Sequence, residues 1–272
     1  MTMRPPLRYR ISRALSGTAL PLYAALALLF LQLPVIIVVL ASVTTTSYLT
    51  VPPVGFTLDW YWDVLGDDSY IEAIGFSLML ACVATVVSLA LGTAAAYALV
   101  RRKVPGSEAI AAALMAPLVF PAVVVAVALL QYYTLVGVRG TFGALAVAHV
   151  LITLPYVMRS VLASLEGSDP SLEEAARTLG ADAWTAFFKT TLPLIRPGLV
   201  AGAIFSFIVS FDNVPVSIFL VSVRRTTLPV KIFTAVEHGI DPGIAAISTM
   251  LIIATGLSLV LAERWVGFHR FA

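Results

Sequence analysis

Residues 173–198, EEAARTLGADAWTAFFKTTLPLIRPG, form a polar, helix-prone island in a chain otherwise built of long apolar runs. Just ahead of it, Asp169 can cap a helix whose first residue is Pro170, where a missing N–H costs nothing. Glu173 and Glu174 then sit near the positive end of the helix dipole. Leu172, Ala175, Ala176 and Leu179 recur at i, i+3, i+4 and i+7, one apolar stripe on a short helix. Gly180 can take the left-handed conformation that ends it. Asp182 can cap a second helix whose Trp184, Phe187 and Phe188 share a face, and Leu192-Pro193 closes it. The spacing predicts a helix-turn-helix that serves as a docking device; an amphipathic helix resting on a membrane surface is the plainer alternative.

The surroundings set the class. At 272 residues, 60% of them apolar and 12% charged, with mean hydropathy +0.97, the chain has too few charges to cover a water-soluble globule. Charge-free runs cover Ala14–Leu58, Ala73–Val100, Ala109–Val138, Gly140–Met158, Pro197–Val223 (except for Asp212) and Pro242–Ala262. Each meets the roughly 20 residues that a helix needs to cross the hydrocarbon core. In the first, Thr44-Thr45-Thr46 and Pro52-Pro53 predict that the helix stops near Ser42 and a loop begins. The expectation is an all-α, polytopic chain of six transmembrane helices, one transmembrane domain over 1–272 with a polar loop at 168–193. The first apolar run exceeds the h-region of a signal peptide, so an uncleaved first span is expected.

Charge sets the orientation. With the N-terminus inside, the cytoplasmic side collects Arg4, Arg8, Arg10 and Arg13, then Arg101, Arg102 and Lys103. It also takes Arg159, Arg177, Lys189 and Arg196, and finally Arg264 and Arg270. Only Arg139, Arg224, Arg225 and Lys231 fall outside. Both termini and the island therefore face the cytoplasm. The lone Cys82 excludes an intramolecular disulfide. No Gly-rich loop ending in Gly-Lys-Ser/Thr is present, so the chain does not hydrolyse ATP alone.

Two further features carry chemistry. Phe56–Ser77 mixes Trp60, Tyr61 and Trp62 with Asp59, Asp63, Asp67, Asp68 and Glu72, which reads as an interfacial helix leading into the second span, or as an acidic collar that concentrates cations. Asp212, in SFIVSFDNVPVSIFL (206–220), lies inside an apolar run. An intramembrane carboxylate is costly unless it faces water or a partner, and it usually marks a pathway. Asn213 adds a polar neighbour, and Pro215 interrupts the helix, which is best tolerated beside a cavity. A structural pair with another span is the alternative for Asp212. His149 lies mid-span as well and reads as a satisfied core histidine.

Glu174-Ala175-Ala176, Gly180 and Leu192-Pro193 fall at the spacings of the EAA loop, and with these residues the chain resembles the inner-membrane permease subunits of ATP-binding-cassette importers of type I. Thr190 stands where that pattern has Ile. The resemblance implies that the loop is a coupling helix seated in a cleft of an ATPase subunit, with Glu174 and Gly180 at its key positions. Ser210-Phe211-Asp212, Leu228–Phe233 (LPVKIF) and the Asp241-Pro242 entry into the last span are similar to the C-type permease branch of spermidine/putrescine importers. The similarity runs from about residue 15 to 265.

That resemblance implies a subunit of the bacterial inner membrane, not itself an enzyme. Its partners would be a second homologous permease, two ATPase subunits holding ATP and magnesium, and a periplasmic or lipid-anchored substrate-binding protein. Membrane lipid would surround it, no nucleic acid is involved, and the chain itself holds no cofactor or metal. Asp212 and Asn213, with Tyr132, Tyr133 and Tyr156, would line the path, where aromatic faces and a carboxylate suit an organic cation. Asn213 in place of an acid, and the positive charge of Arg224, Arg225 and Lys231, keep an amino acid derivative, a phosphonate or a metal complex open as the solute. A secondary carrier using Asp212, or a scaffold or insertase with no solute, are the readings from other classes.

Overall fold

The computed structural model describes residues 7–101, 104–222, 225–239 and 241–266, with side chains described between 20 and 258. Arg4, Arg102, Lys103, Arg224 and Arg270, which enter the charge balance above, lie outside the described residues, as do the side chains of Arg8, Arg10, Arg13 and Arg264.

The described chain is helical. In order, α1 is Leu7–Ala41, α2 Asp59–Gly66, α3 Asp68–Arg101, α4 Ser107–Val119, α5 Ala122–Leu135, α6 Phe142–Glu166, α7 Ser171–Thr178 and α8 Ala183–Ala186. A π-helical turn, Phe187–Thr191, leads into α9 Leu192–Leu194, α10 Arg196–Phe211, α11 Ser217–Leu220, α12 Leu228–His238 and α13 Pro242–Val266. Among the described residues, α3, α6 and the 22-residue segment Leu20–Ala41 of α1 are long and apolar enough to cross a membrane; counting each bent pair as one span raises the number to five. The described side chains of α13 form a shorter apolar helix, Pro242–Ser258.

Two expected spans differ from straight rods. Ala109–Val138 is broken into α4 and α5, which meet at 104°. Phe120 leaves the helix in extended conformation and Pro121 follows it, so the hydrogen-bond ladder loses a donor where the backbone already turns. Pro197–Val223 is broken after Phe211 and becomes helical again only over the short α11, and the α10 axis lies at 72° to the segment Ala183–Leu194.

The chain divides into two compact units, residues 1–67 with 235–272, and residues 68–234. In the first, α1 ends at Ala41 and its exit is pinned by α2. The Trp60 indole N–H donates to the Thr44 carbonyl at 2.8 Å, and the hydroxyls of Tyr61 and Ser42 lie 2.6 Å apart. Thus two of the three aromatics expected at the interface tie the loop to α1, while Trp62 is exposed. Along α1, Leu22, Tyr23 and Phe30 are exposed, an apolar surface suited to lipid.

The second unit is built on three mutually packed helices, α3, α6 and α10. Glycines set the close approach. A Cβ on Gly92 of α3 would lie 2.9 Å from Cγ1 of Val157, and one on Gly202 of α10 would lie 3.1 Å from the Val157 Cα. Small residues at such crossings let backbones approach where burial of apolar area against lipid gives little driving force. Val157, Met158, Val161, Leu165 and Ile195 form one apolar cluster. Leu80, Tyr133, Leu145, Ile152, Val216 and Leu220 belong to another.

Candidate functional site

The island at 169–193 folds as the capping residues dictate. The Asp169 carboxylate accepts the Ser171 N–H at 2.9 Å, and hydrogen bonds from the Ser171 backbone and side chain hold its pKa below the ordinary carboxylate value. Helix α7 ends in a Schellman arrangement: Gly180 has φ +96°, its N–H bonds the Arg177 carbonyl at 3.1 Å, and the Ala181 N–H bonds the Ala176 carbonyl at 3.0 Å. Asp182 caps α8 through the Thr185 N–H at 3.2 Å, and bonding to Thr185 lowers its pKa too.

Leu192-Pro193 does not close the second helix as expected. The π-helical turn widens the chain at Phe187–Thr191 and a further short helix follows, with Pro193 in its first residues, where an absent N–H is tolerated.

The apolar stripe read from the sequence stays uncovered. Leu179 is 89% exposed and Trp184 72% exposed, and Leu172 and Phe188 are exposed beside them. The rings of Trp184 and Phe188 stack at 6.0 Å. Ala175 and Glu174 are exposed and Ala176 is half-buried. Glu174, Gly180 and these aromatics thus form a partly apolar surface on a polar loop, a composition suited to contact with a protein or a membrane surface.

The residues that hold the island are ones the sequence reading did not select. Glu173 turns inward: one carboxylate oxygen accepts the Tyr97 hydroxyl of α3, and the other accepts the Thr191 hydroxyl at 2.7 Å. The Tyr97 ring meets Phe187 edge-on at 5.0 Å. Arg101, one turn after Tyr97, donates through Nη2 to the Ser168 hydroxyl at 2.7 Å and the Ser168 carbonyl at 3.2 Å. The doubled Glu173-Glu174 was the only local signal, and both acids suit the helix dipole equally.

Asp212, expected within one continuous span, lies where the helix of that span is broken. Helix α10 ends at Phe211 and Asp212 is its C-terminal cap, exposed, with its N–H still bonded to the Ile208 carbonyl at 3.0 Å. The Asn213 side chain accepts the Val216 N–H at 2.9 Å, in the turn that precedes α11. Buried His149 spans this break: its Nδ1 lies 2.8 Å from the Ser210 hydroxyl and its Nε2 3.0 Å from the Ser217 hydroxyl. The reading of His149 as a satisfied core residue agrees with this geometry. Tyr132 is exposed, Tyr133 buried and Tyr156 half-buried. Among the described residues, no hydrogen bond or ring contact joins these tyrosines to Asp212.

An open cavity of about 740 Å³ lies at the N-terminal end of α3, lined in part by Ser69, Glu72, Phe76, Arg225 and Lys231. Lys231 bonds the Ser69 hydroxyl and stands 3.9 Å over the Tyr70 ring, a cation–π contact.

A family described as "Binding-protein-dependent transport system inner membrane component" matches residues 88–269, which include the island and the break after α10. The spermidine/putrescine transport system permease protein PotC of Haemophilus influenzae is 34% identical over 234 residues, 86% of this chain and 91% of that one. The putrescine transport system permease protein PotI of Escherichia coli K12 is 34% identical over 235 residues, 84% of this chain and 83% of that one. The molybdenum transport system permease protein ModB of the same strain is 33% identical over 214 residues, 72% of this chain and 93% of that one. In fold, the chain resembles a bacterial ABC transporter involved in the import of the acidic polysaccharide alginate, with TM-score 0.74 and 18% identity over 97% of this chain and 99% of that one.

A helical membrane chain that matches this family over residues 88–269 and is similar over most of its length to transport-system permeases has a transport role rather than an enzymatic one. It belongs to the inner-membrane components of binding-protein-dependent transport systems.

Proposed function

We propose that this chain is one of two homologous permeases in an ATP-driven importer of polyamines, served by two ATPase subunits and a periplasmic or lipid-anchored binding protein. The observation that carries the reading is the reach of the similarity. The spermidine/putrescine and putrescine permeases match 86% and 84% of this chain, against 72% for the molybdenum permease. The proposed topology has six spans, with both termini and the island in the cytoplasm, where the ATPase is reached. Glu174, Ala175, Ala176 and Gly180, the Leu192-Pro193 turn and the uncovered Leu179 and Trp184 would form the seat for that subunit.

Asp212 and Asn213, in the break after α10, would meet the solute, since unwound backbone beside a carboxylate is suited to an organic cation. Tyr132, Tyr133 and Tyr156 belong to the same proposed path. An anionic or metal-complex solute is the second reading, favoured by Arg225 and Lys231 in the cavity at the start of α3.

The test is ATP hydrolysis by the co-purified complex in lipid nanodiscs with its binding protein. Stimulation by spermidine or putrescine supports the polyamine reading. Activity that ignores both supports the second solute class, and a chain that brings down no ATPase points to a secondary carrier. Asp212→Ala is expected to abolish uptake with the ATPase still bound; unchanged uptake would remove Asp212 from the path.

A further inference from the structure

We infer that Glu173 is a positioning residue for coupling, a strut that passes displacement of α7 to α3 and to the start of α10. The inference rests on the importer reading above and names a residue that reading leaves without a role.

Consecutive helical residues point about 100° apart, so the two adjacent glutamates of α7 serve different neighbours. Glu174 is exposed on the outer surface of the island, whereas Glu173 is half-buried. Both Glu173 oxygens are taken by hydroxyls from other elements, Tyr97 near the end of α3 and Thr191 at the end of the π-helical turn. Thr191 is 2% exposed, so its hydroxyl is held by the fold and presents a fixed donor. Hydrogen bonds to a charged acceptor are shorter and stronger than neutral ones, and a half-buried carboxylate with both oxygens bonded resists rotation.

The second attachment makes a lever of the first. Arg101 stands one turn beyond Tyr97 and bonds Ser168, on the approach to α7. The last turns of α3 therefore grip the island at its entry through Arg101 and at its body through Glu173. Phe187 packs edge-on against Tyr97, so the turn leading to α10 lies on the same ring. A force on the outer surface of α7 has a hydrogen-bonded route through the Glu173 carboxylate to two of the three helices of the core, beside the grip of Arg101 on the island's entry.

The experiment compares variants in the complete complex, with ATPase and binding protein, in nanodiscs. Glu173→Ala is expected to keep the co-purified ATPase and basal ATP hydrolysis. It should lower uptake per ATP roughly tenfold or more, the scale set by losing hydrogen bonds to a charged group. Glu173→Gln keeps one acceptor oxygen and is expected to restore most of the coupling. Tyr97→Phe removes only the hydroxyl, leaves the ring on Phe187, and is expected to fall between the two.

Unchanged uptake per ATP in both Glu173→Ala and Tyr97→Phe overturns the strut. So does loss of the ATPase from Glu173→Ala in parallel with Glu174→Ala, which would make Glu173 part of the docking contact. If Glu173→Ala does not fold, Tyr97→Phe decides alone. A wild-type complex without ATPase overturns the importer reading and the strut with it, whereas a wild-type complex that couples, beside variants that couple equally, overturns the strut only.

Discussion

Nδ1 of His149 lies 2.8 Å from the hydroxyl of Ser210, one residue before α10 ends, and the other nitrogen of the same ring reaches Ser217 where α11 begins. A fully buried imidazole thus staples the two sides of a gap in the backbone ladder. Replacing it by Ala removes two hydrogen bonds and strands two buried hydroxyls, a loss of roughly 2 kcal/mol or more. His149→Ala is expected to lower the unfolding midpoint in detergent, and His149→Gln, which can donate and accept, to recover part of it.

Two glycines separate strain from crowding. Gly198 sits where an added Cβ would lie 2.5 Å from the Ser160 carbonyl oxygen. Gly198→Ala must therefore push α10 off α6, and poor yield of folded protein on size-exclusion chromatography is expected. Gly180 has open space around it but φ +96°. Gly180→Ala is expected to fold and to cost roughly 1–2 kcal/mol locally, read as faster amide exchange in α7. Gly180→Asn should exchange more slowly than Gly180→Ala, since Asn tolerates the left-handed region better.

On the island's surface, Glu174→Ala and Trp184→Asp are expected to leave the helical content unchanged by circular dichroism while reducing the ATPase recovered with the tagged chain. The aromatic variant should have the larger effect, because a Trp that becomes buried on docking carries more contact energy than a carboxylate left at the rim. Undiminished recovery for both would count against this surface as the ATPase seat.

Asp169 and Asp182 both have folded-state pKa values depressed from the ordinary 3.8 by the amides and hydroxyls they accept. Depression means that the folded state favours the ionised form, so the caps contribute above the unfolded value and are lost as pH falls through the folded one. Both side chains are fully exposed, and the effect is local fraying of the starts of α7 and α8. Amide exchange at Ser171 and Thr185, corrected for intrinsic rate, is expected to be slow near pH 6 and to accelerate only as pH falls below the ordinary carboxylate value of 3.8. Asp182→Asn should remove that pH dependence at Thr185 while keeping most of the protection.

What the sequence disclosed follows the range of the interactions. Capping at Asp182, the left-handed Gly180 and the end of α1 near Ser42 are local, and residue type with spacing is enough to read them. The elbow at Pro121 was overlooked because an apolar run has the same composition whether it is straight or bent. The break at Asp212 is masked in the sequence because the apolar pattern continues through Val214 and Val216, while the structure ends α10 at Phe211 and turns through the Asn213–Val216 hydrogen bond. The Glu173–Tyr97 contact spans 76 positions, and no periodicity along the chain announces it.

Helix α3 has 34 residues, about 51 Å of axis at 1.5 Å per residue, whereas a hydrocarbon core is about 30 Å thick. Standing upright, it would leave roughly 20 Å clear of the hydrocarbon. Its two surplus ends are where Lys231 meets Ser69 and where Glu173 meets Tyr97. Proline interrupts α1, α4 and α6, but not α3. Helix α3 is thus built as an unjointed rod, gripped at both tips, so tilting it by a few degrees about its midpoint swings the two grips by ångströms in opposite directions.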